Sequence, residues 1–551
     1  MPSAIVLSAF RLSPLGAIYE LLAARRIDTL SRLANRRPAH RQARAETSGT
    51  VARIDCLSMI LDDDIAERDN FGWRVEPATP DPANPLIEPE MPWDQGAVFA
   101  HGTFLKDPID GLWKGWHVCS PSEGRNFEAY RRLCYSESED GVNWTRPELD
   151  LNSYEEHART NIIFDFDSGG SSQYASVIIH PDAEPDQRYE MFIIRAPSRR
   201  PQNLGSGWIP GLPREPGADS HPYATYRYRS PDGIHWTAVE GPLLRIMAVG
   251  DRLIMPYTTP MGGADQASYY LLEDGTYELM QKVGTEMHPG GYIPYDCFFP
   301  YGRRVLARRT SLDGSNWTPP EVIVEPDWKD PHDQQFMELM PHTVRGGYIG
   351  LLCCYNVREQ TIDWQWAGSQ DRRIWNRPSR RPTLPNAPLG DYGGGMLWPT
   401  HQLIEDGDRI YMYYSGLEGV HGDVYSIEPS LKTFYGAICR ASWEKDRYWA
   451  AVSATGGPEA AVFTTHVLPV GGKRLVLNAA TSTVKQGELT AELVDASGRA
   501  IEGFSATDYQ PWQGDSKSQL VRWAGGDACP VDNAAIRFSV QRSRLYGFAF
   551  E

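Results

Sequence analysis

The chain has 551 residues, of which 41% are hydrophobic and 23% charged, a balance typical of a folded protein and unlike that of a disordered one. Its 71 acidic side chains outnumber its 54 Lys and Arg, and the net charge of -17 argues against a surface that follows nucleic-acid phosphates. The 17 Trp, 27 Tyr, 50 Gly and 42 Pro favour a turn-rich β-protein with aromatic surfaces over a helical one.

The first 46 residues differ in charge from the rest of the chain. They hold eight Arg and three acidic residues, a net charge of +5 that leaves -22 for the remainder. We expect an amphipathic helix or a flexible extension, with a targeting or membrane-surface role as the alternative. Arg11 interrupts the apolar start and no small-residue cleavage site follows, so a cytoplasmic location is favoured over a secreted or periplasmic one. No apolar run reaches the about 18 residues that span a bilayer, which predicts a soluble protein.

A short pattern recurs four times between residues 90 and 445. It joins a strand-like run to an Asp-Gly turn and a Trp three residues beyond the Gly, and Asp-Gly is a strong hairpin signal. The copies are SEDGVNWTRP from Ser138, SPDGIHWT from Ser230, SLDGSNWTPP from Ser311 and a degenerate SQDRRIWNRP from Ser369. Two further strand-like runs precede each copy, so each unit has the four strands of a propeller blade. We therefore predict an all-β fold built on a β-propeller.

The number of blades follows from the remaining strand-like runs. A fifth unit, GGGMLWPTHQLIED followed by DRIYMYYSG, has the strands without the turn motif. The stretch 243–324 has more runs than one regular blade, which leaves five blades with an elaborated third, or six. Beyond about residue 445, alternating strands joined by Ser-Gly and similar turns predict a β-sandwich. The predicted domains are an Arg-rich extension at 1–46, the propeller at 47–445 and the sandwich at 446–551.

Cysteine and histidine spacings give no metal signature. The eight cysteines are scattered without a CxxC pair, and none of the 13 histidines lies in HExxH or a comparable spacing. A zinc ribbon and a dense disulfide framework are therefore not indicated. We expect buried thiols, no metal site and no cofactor.

Acidic residues recur near the starts of the predicted inner strands, which converge around the central pocket of a propeller. Cleavage of a glycosidic bond needs one carboxylate as nucleophile or base and one protonated carboxylic acid, and clustered acids raise one another's pKa. The candidate catalytic residues are Asp94, Asp167, Asp296, Asp333 and Glu338. Asp94, which follows a Pro-Trp at the entry to the first blade, is the strongest of these candidates.

Aromatic and polar side chains beside these acids are candidates for sugar contacts, because Trp and Tyr rings stack on sugar faces. The candidate substrate-binding residues are Trp93, Tyr295, His332, Asp391, Tyr392 and Trp398. His101, His401 and His421 either hydrogen-bond sugar hydroxyls or are structural. We assign the three turn aspartates Asp140, Asp232 and Asp313 to structure.

The turn repeats, the PW-acid entry to blade one, the run from Phe104 to Trp116 and HPDAEPDQRYEMF from His180 resemble the five-bladed-propeller glycosidases. More narrowly, the chain resembles bacterial proteins similar to glycoside hydrolase families 32 and 43, whose sandwich domain its C-terminal run also resembles. The resemblance covers about residues 50–551. It implies hydrolysis or transfer at a furanoside-type bond, with acids from the first three blades, of which the first carries over onto Asp94.

We therefore expect a glycoside hydrolase or transglycosylase that acts on an oligo- or polysaccharide with paired carboxylates in the central pocket. One alternative is a sugar-binding propeller without catalysis. Another is a phosphorylase, which needs a basic pocket for phosphate, or a lyase, which needs a Tyr, His or Lys base. No nucleic acid is expected as a partner. The fold alone does not separate these functions, because propellers host many of them.

Overall fold

The computed structural model describes residues 61–120, 131–165, 170–196, 208–214, 216–218, 220–245, 248–249, 252–253, 266–285, 303–421, 436–456, 458–482, 484 and 486–551. This part of the chain is all-β, apart from the 3-10 turns Asp62–Asp64 and Pro185–Gln187. It contains no helix long and apolar enough to cross a membrane. The predicted extension at 1–46 and the candidates Asp167, Tyr295 and Asp296 lie outside the described residues.

Three strands precede the blades, and the first three blades are antiparallel four-stranded sheets. The early strands are β1 (Ile65–Asp69), β2 (Phe71–Val75) and β3 (Thr79–Pro80). Blade 1 contains β4 (Ala97–Lys106), β5 (Trp113–Ser120), β6 (Arg132–Ser138) and β7 (Ile162–Phe164). Blade 2 contains β8 (Ser171–Ile179), β9 (Tyr189–Ala196), β10 (Ala224–Ser230) and β11 (Thr237–Glu240). A two-stranded ribbon of β12 (Ala248–Val249) and β13 (Arg252–Leu253) precedes blade 3, which contains β14 (Ala267–Leu271), β15 (Tyr277–Thr285), β16 (Arg303–Ser311) and β17 (Glu321–Val324).

Blades 4 and 5 complete the ring, and an early strand closes it. Blade 4 contains β18 (Gln334–Val344), β19 (Gly347–Asn356), β20 (Thr361–Ser369) and β21 (Trp375–Asn376). Blade 5 contains β22 (Met396–Pro399), β23 (Ile404–Asp406), β24 (Arg409–Leu417) and β25 (Gly436–Glu444). Its outermost strand is β3, because Ala441 pairs with Pro80. The five-bladed prediction is confirmed, and the extra strands predicted in the third unit form the separate ribbon.

The sandwich takes strands from both sides of the propeller in sequence. Its later strands are β26 (Trp449–Ser453), β27 (Ala461–Thr465), β28 (Leu468–Pro469), β29 (Leu475–Thr481), β30 (Glu488–Val494), β31 (Asp515–Leu520), β32 (Asn533–Gln541) and β33 (Ser543–Phe550). One sheet has the order β1-β27-β32-β28 with β30 also on β32, and the other has the order β2-β26-β33-β29-β31. The hairpin at 65–75 thus contributes one strand to each sheet. The domain boundaries at residues 46 and 445 stay predictions.

The recurring turn is the joint between neighbouring blades. In each copy the Ser hydroxyl and the Asp carboxylate accept backbone N–H groups of the turn, as Gly141 N–H to Ser138 Oγ at 2.9 Å illustrates. The turn's backbone carbonyl then accepts a bond from the preceding blade. Tyr413 OH lies 2.5 Å from Gly141 O, and Trp116 Nε1 lies 2.6 Å from Gly233 O.

The other two turns are held by the preceding blade through charged side chains. In blade 3 the carbonyl of Asp313 accepts Arg227 Nη1 of blade 2 at 3.0 Å. In blade 4 the degenerate copy has Arg372 at the glycine position with φ +59°, and its Nε donates to Glu278 of blade 3 at 2.8 Å. The motif therefore recurs because each copy forms an inter-blade contact.

Candidate functional site

The inner strands β4, β8, β14, β18 and β22 begin at one end of the propeller, here called the mouth end. Hydrogen bonds join neighbouring inner strands: Thr103 Oγ1 donates to Ala175 O at 2.8 Å, and Tyr269 N–H donates to Ser176 Oγ at 3.1 Å. The segment after β22 joins the others, because His401 N–H donates to Gly102 O at 3.1 Å and His401 O accepts Tyr270 OH at 2.5 Å. Four of the first strands, β4, β8, β14 and β22, are thus joined around one axis, and β18 contacts β14.

Three of the inner strands carry a register shift where they reach this axis. The shifts lie between Phe99 and Thr103 in β4, between Gln173 and Ser176 in β8, and between Phe336 and Glu338 in β18. Bulges are frequent beside active sites because they re-aim side chains. In β8 the bulge places the buried Tyr174 at φ +51°, a left-handed conformation that non-glycine residues seldom adopt.

Four ring side chains pack together at the axis, and we call them the axial layer: His101, Tyr174, Trp398 and His401. The His101 ring is 4.6 Å from that of Tyr174 and 5.0 Å from that of Trp398, and the rings of Tyr174 and His401 are 6.1 Å apart. All four side chains are buried. His401 Nδ1 lies 2.8 Å from Ser176 Oγ. The layer therefore joins blades 1, 2 and 5 across the axis.

Both histidines of the axial layer are neutral. Burial lowers the pKa of His401 to about 3. Burial also lowers the pKa of His101 well below its usual range, and the nearby charges of Arg131 and Lys282 lower it further. Arg131 precedes β6, with its guanidinium 5.7 Å from the Phe99 ring, and Lys282 lies on β15. Two cationic side chains thus flank the axial layer at the mouth end.

Glu338 is the candidate catalytic residue that lies on a bulge of an inner strand. Its side chain is buried, on β18. Burial raises the pKa of the Tyr270 phenol and the Glu338 carboxylate adds to this rise, which places Glu338 near the tyrosine that hydrogen-bonds His401. Burial, and after it Glu338, likewise raise the pKa of Cys353. The Glu338 carboxylate therefore acts on Tyr270, whose hydroxyl is bonded to the backbone of the axial layer.

Asp94 lies in a turn before β4. Its Oδ1 accepts the backbone N–H groups of Glu90 and Met91 at 2.8 and 2.7 Å, and its Oδ2 lies 3.4 Å from Arg146 Nη2. Burial raises the pKa of Asp94 to about 6, although Arg146 opposes the shift. These contacts hold the turn together within blade 1. The catalytic role of Asp94 stays a prediction.

Trp93 packs against the outer part of blade 1. Its Nε1 donates to Asn161 Oδ1 at 2.9 Å, and its ring meets those of Tyr154 and His157 edge-on at 6.0 and 5.6 Å. The ring is buried. Stacking of Trp93 on a sugar face stays a prediction, and these contacts give the ring a packing role.

The other predicted residues fall into three places. His332 is exposed and Asp333 is buried just before β18. Asp391 is exposed, and together with Tyr392 it lines a cavity of about 810 Å³ beside blade 5. Glu418 lines the same cavity, and burial together with the Asp391 charge raises its pKa. Of the candidate catalytic and substrate-binding residues that the structure describes, only Trp398 belongs to the axial layer, where it meets His101.

The turn at Asp94 gives a pH-dependent prediction. The pKa is about 6 in the folded chain and about 3.9 when unfolded, so the neutral carboxyl favours folding. This contribution is complete below about pH 3.9 and is lost as the pH rises through about 6. The amide of Asp94→Asn stays neutral at every pH, whereas the wild type loses stability as Asp94 ionises. The free energy of unfolding of the variant minus that of the wild type should therefore rise by about 2–3 kcal/mol between pH 4 and 7.5. Urea unfolding at both pH values measures this.

Asp313→Asn is the matched control. Backbone and side-chain N–H groups of Asn316 hold the pKa of Asp313 below its usual range, so its contribution is lost only as the pH falls. The stability difference of this variant should change little over the same interval, and in the opposite direction. If the stability difference between Asp94→Asn and wild type did not change with pH, the raised pKa of Asp94 would be contradicted.

Within the described part of the chain, no group of three or more His, Cys, Asp or Glu side chains is arranged to hold a metal ion. The six described cysteines, Cys119, Cys134, Cys353, Cys354, Cys439 and Cys529, are buried free thiols.

No protein-family model matches the sequence, and no curated protein matches it. Among solved structures, a glycosyl hydrolase from Bacteroides ovatus is 14% identical with a TM-score of 0.41, covering 70% of this chain and 98% of its own. A thermostable family-43 glycoside hydrolase is 14% identical with a TM-score of 0.38, covering 64% and 89%. A β-1,2-mannobiose phosphorylase from Listeria innocua is 13% identical with a TM-score of 0.40, covering 67% and 96%. The solved structures to which this chain is similar thus include both glycoside hydrolases and a phosphorylase.

Proposed function

We propose that this protein is a carbohydrate-active enzyme, a glycoside hydrolase or transglycosylase, that acts on a furanoside-type or related glycosidic bond at the mouth end of the propeller axis. The observation that carries the proposal is the axial layer, because it unites buried rings and polar nitrogen atoms, and the backbone oxygen of its His401 accepts the hydroxyl of Tyr270, whose pKa the Glu338 carboxylate helps to raise. Rings provide faces for a sugar, and a few convergent polar groups provide orientation.

Two carboxylates are needed for the chemistry, one to donate a proton to the leaving oxygen and one to act as nucleophile or base. We propose Glu338 as one of them. Asp167 and Asp296 are the proposed partners, because in sequence they come shortly before β8 and after β15, two strand ends that lie at the mouth end. Asp333 stays a further candidate beside β18.

Asp391 and Tyr392 are proposed to contact a longer substrate in the cavity beside blade 5. Their cavity has a volume of about 810 Å³ and is also lined by Glu418. Because the pKa of Glu418 is raised, its carboxyl stays protonated, and can donate a hydrogen bond, at a higher pH than that of an ordinary glutamate. His332 and Trp398 are proposed substrate contacts at the start of β18 and in the axial layer.

The test is product release from fructans, arabinans, galactofuranosides and bacterial polysaccharides, followed by NMR. The proposal predicts release of reducing sugar, and the anomer formed first reports retention or inversion. Product that appears only with phosphate and as a sugar phosphate would instead indicate a phosphorylase, and an unsaturated product would indicate a lyase. Binding of a glycan without release would indicate the sugar-binding alternative.

A further inference from the structure

The axial layer contains buried ring nitrogens that have no hydrogen-bond partner among the residues that the structure describes. The indole Nε1 of Trp398 is buried without a hydrogen-bond partner in the described part of the chain. An indole nitrogen only donates, and a buried donor without an acceptor destabilises a protein by about 1–3 kcal/mol. The Trp398 N–H is therefore available to an acceptor other than the described side chains.

His401 Nε2 is the second such nitrogen. Ser176 Oγ accepts the backbone N–H of Tyr269 at 3.1 Å and lies 2.8 Å from His401 Nδ1, to which the Ser176 hydroxyl can donate. In the tautomer that accepts this hydroxyl hydrogen, the one hydrogen of the neutral imidazole is on Nε2. His401 Nε2 has no partner among the described residues.

His101 contributes a third donor. Both of its ring nitrogens are buried and without a partner in the same described region, and one of them carries a hydrogen in the neutral ring. Its electrostatic neighbours within the described chain are Arg131, His401 and Lys282, none of which is an acid. Three N–H donors and two cationic side chains thus meet around one ring cluster.

We propose that the mouth end of the axial layer is an oxyanion subsite, formed by the N–H groups of Trp398, His401 and His101 and by the charges of Arg131 and Lys282. An oxyanion supplies several acceptor atoms and a negative charge, which matches a donor-rich and cationic site. Its source is either the carboxylate of an acidic sugar or inorganic phosphate. The inference rests on the proposed function, because it names a charged group of the substrate or co-substrate at that site.

The test compares thermal unfolding of the full chain with galacturonate, with inorganic phosphate, with galactose and with chloride at matched ionic strength. We expect the Tm to rise with one of the two oxyanions, to saturate with its concentration, and to stay unchanged with galactose or chloride. A response to galacturonate identifies an acidic sugar as the source, and a response to phosphate identifies the free anion.

Trp398→Phe removes one donor and keeps an aromatic ring. We expect the apparent Kd for the oxyanion to rise about tenfold or more, because hydrogen bonds to charged groups are the strong ones. Trp366→Phe is the matched control, since Trp366 Nε1 is also buried without a described partner but its ring packs on Trp443 and Tyr448, at 4.9 and 5.1 Å. This control should bind the oxyanion as wild type does.

Two results would overturn the inference: no saturable response to either oxyanion, or the same loss of response in both Trp variants. Its failure is separable from that of the proposed function. Release of sugar from neutral glycans without any oxyanion response would refute the subsite and leave the glycosidase standing. An oxyanion response without release from any glycan would support the subsite and refute the glycosidase.

Discussion

Glu338→Gln is expected to reduce the turnover number on any glycan that the wild type cleaves by about 10²–10⁴-fold, the usual contribution of general acid or base catalysis. Glutamine has the same shape but neither donates an acidic proton nor acts as a base. Because glutamine has the shape of glutamate, the amide should fit the buried site on β18 and preserve the fold. Initial rates and thermal unfolding, measured together, test this.

One control variant and one comparison make this result specific. Glu321→Gln changes an exposed glutamate on β17 that pairs with Arg373 at 2.5 Å, and its turnover should match the wild type. Asp94→Asn tests the catalytic role predicted for Asp94, whose described contacts are with its own turn and Arg146. A loss of turnover like that of Glu338→Gln would support this role, and unchanged turnover would refute it.

Gly233→Ala is expected to destabilise the propeller by about 3–4 kcal/mol, from an unfavourable positive φ together with overpacking. Gly233 has φ +78°, and an added Cβ would lie 2.8 Å from the Trp116 ring of the preceding blade. That ring also donates to Gly233 O at 2.6 Å, so relieving the clash breaks the inter-blade hydrogen bond. The free energy of unfolding in urea measures the loss.

Gly275→Ala separates the two causes. Gly275 has nearly the same φ, +81°, but nothing lies within 4 Å of an added Cβ. This variant should lose only the conformational part, about 1–2 kcal/mol. Equal losses at the two glycines would show that the turn in blade 2 contributes nothing to the contact with blade 1.

The blades were predictable from the sequence because their signals are local. The Ser-Asp-Gly turn forms its hydrogen bonds within four residues, as Ser138 and Gly141 do, and the strands on each side follow directly. What each turn contacts was not predictable, since Tyr413 and Gly141 are 272 residues apart. The repeat predicts the architecture, but only the folded ring shows that the turn carbonyl accepts a hydrogen bond from the preceding blade.

The candidate site was predictable only in part, because its contacts join residues that are far apart in the sequence. His401 and Ser176 are 225 residues apart and meet across the axis, and no spacing in the sequence indicates this contact. Trp398 was proposed as a sugar contact from its place beside an inner strand, and it lies in the axial layer. Trp93 had a similar local setting, but Asn161, 68 residues later, binds its indole nitrogen.

The closing strand β3 has a consequence for the order of folding. Asn84, just after it, bonds Arg440 across 356 residues, and Glu76, just before it, bonds Arg544 across 468 residues. Contacts between such distant segments form late, because the entropy of closing a long loop must first be overcome. During synthesis β3 therefore emerges long before its partner β25 and keeps an unpaired edge until blade 5 has been made. Such an edge is a template for association with other chains, so the protein should depend on chaperones most strongly at that stage.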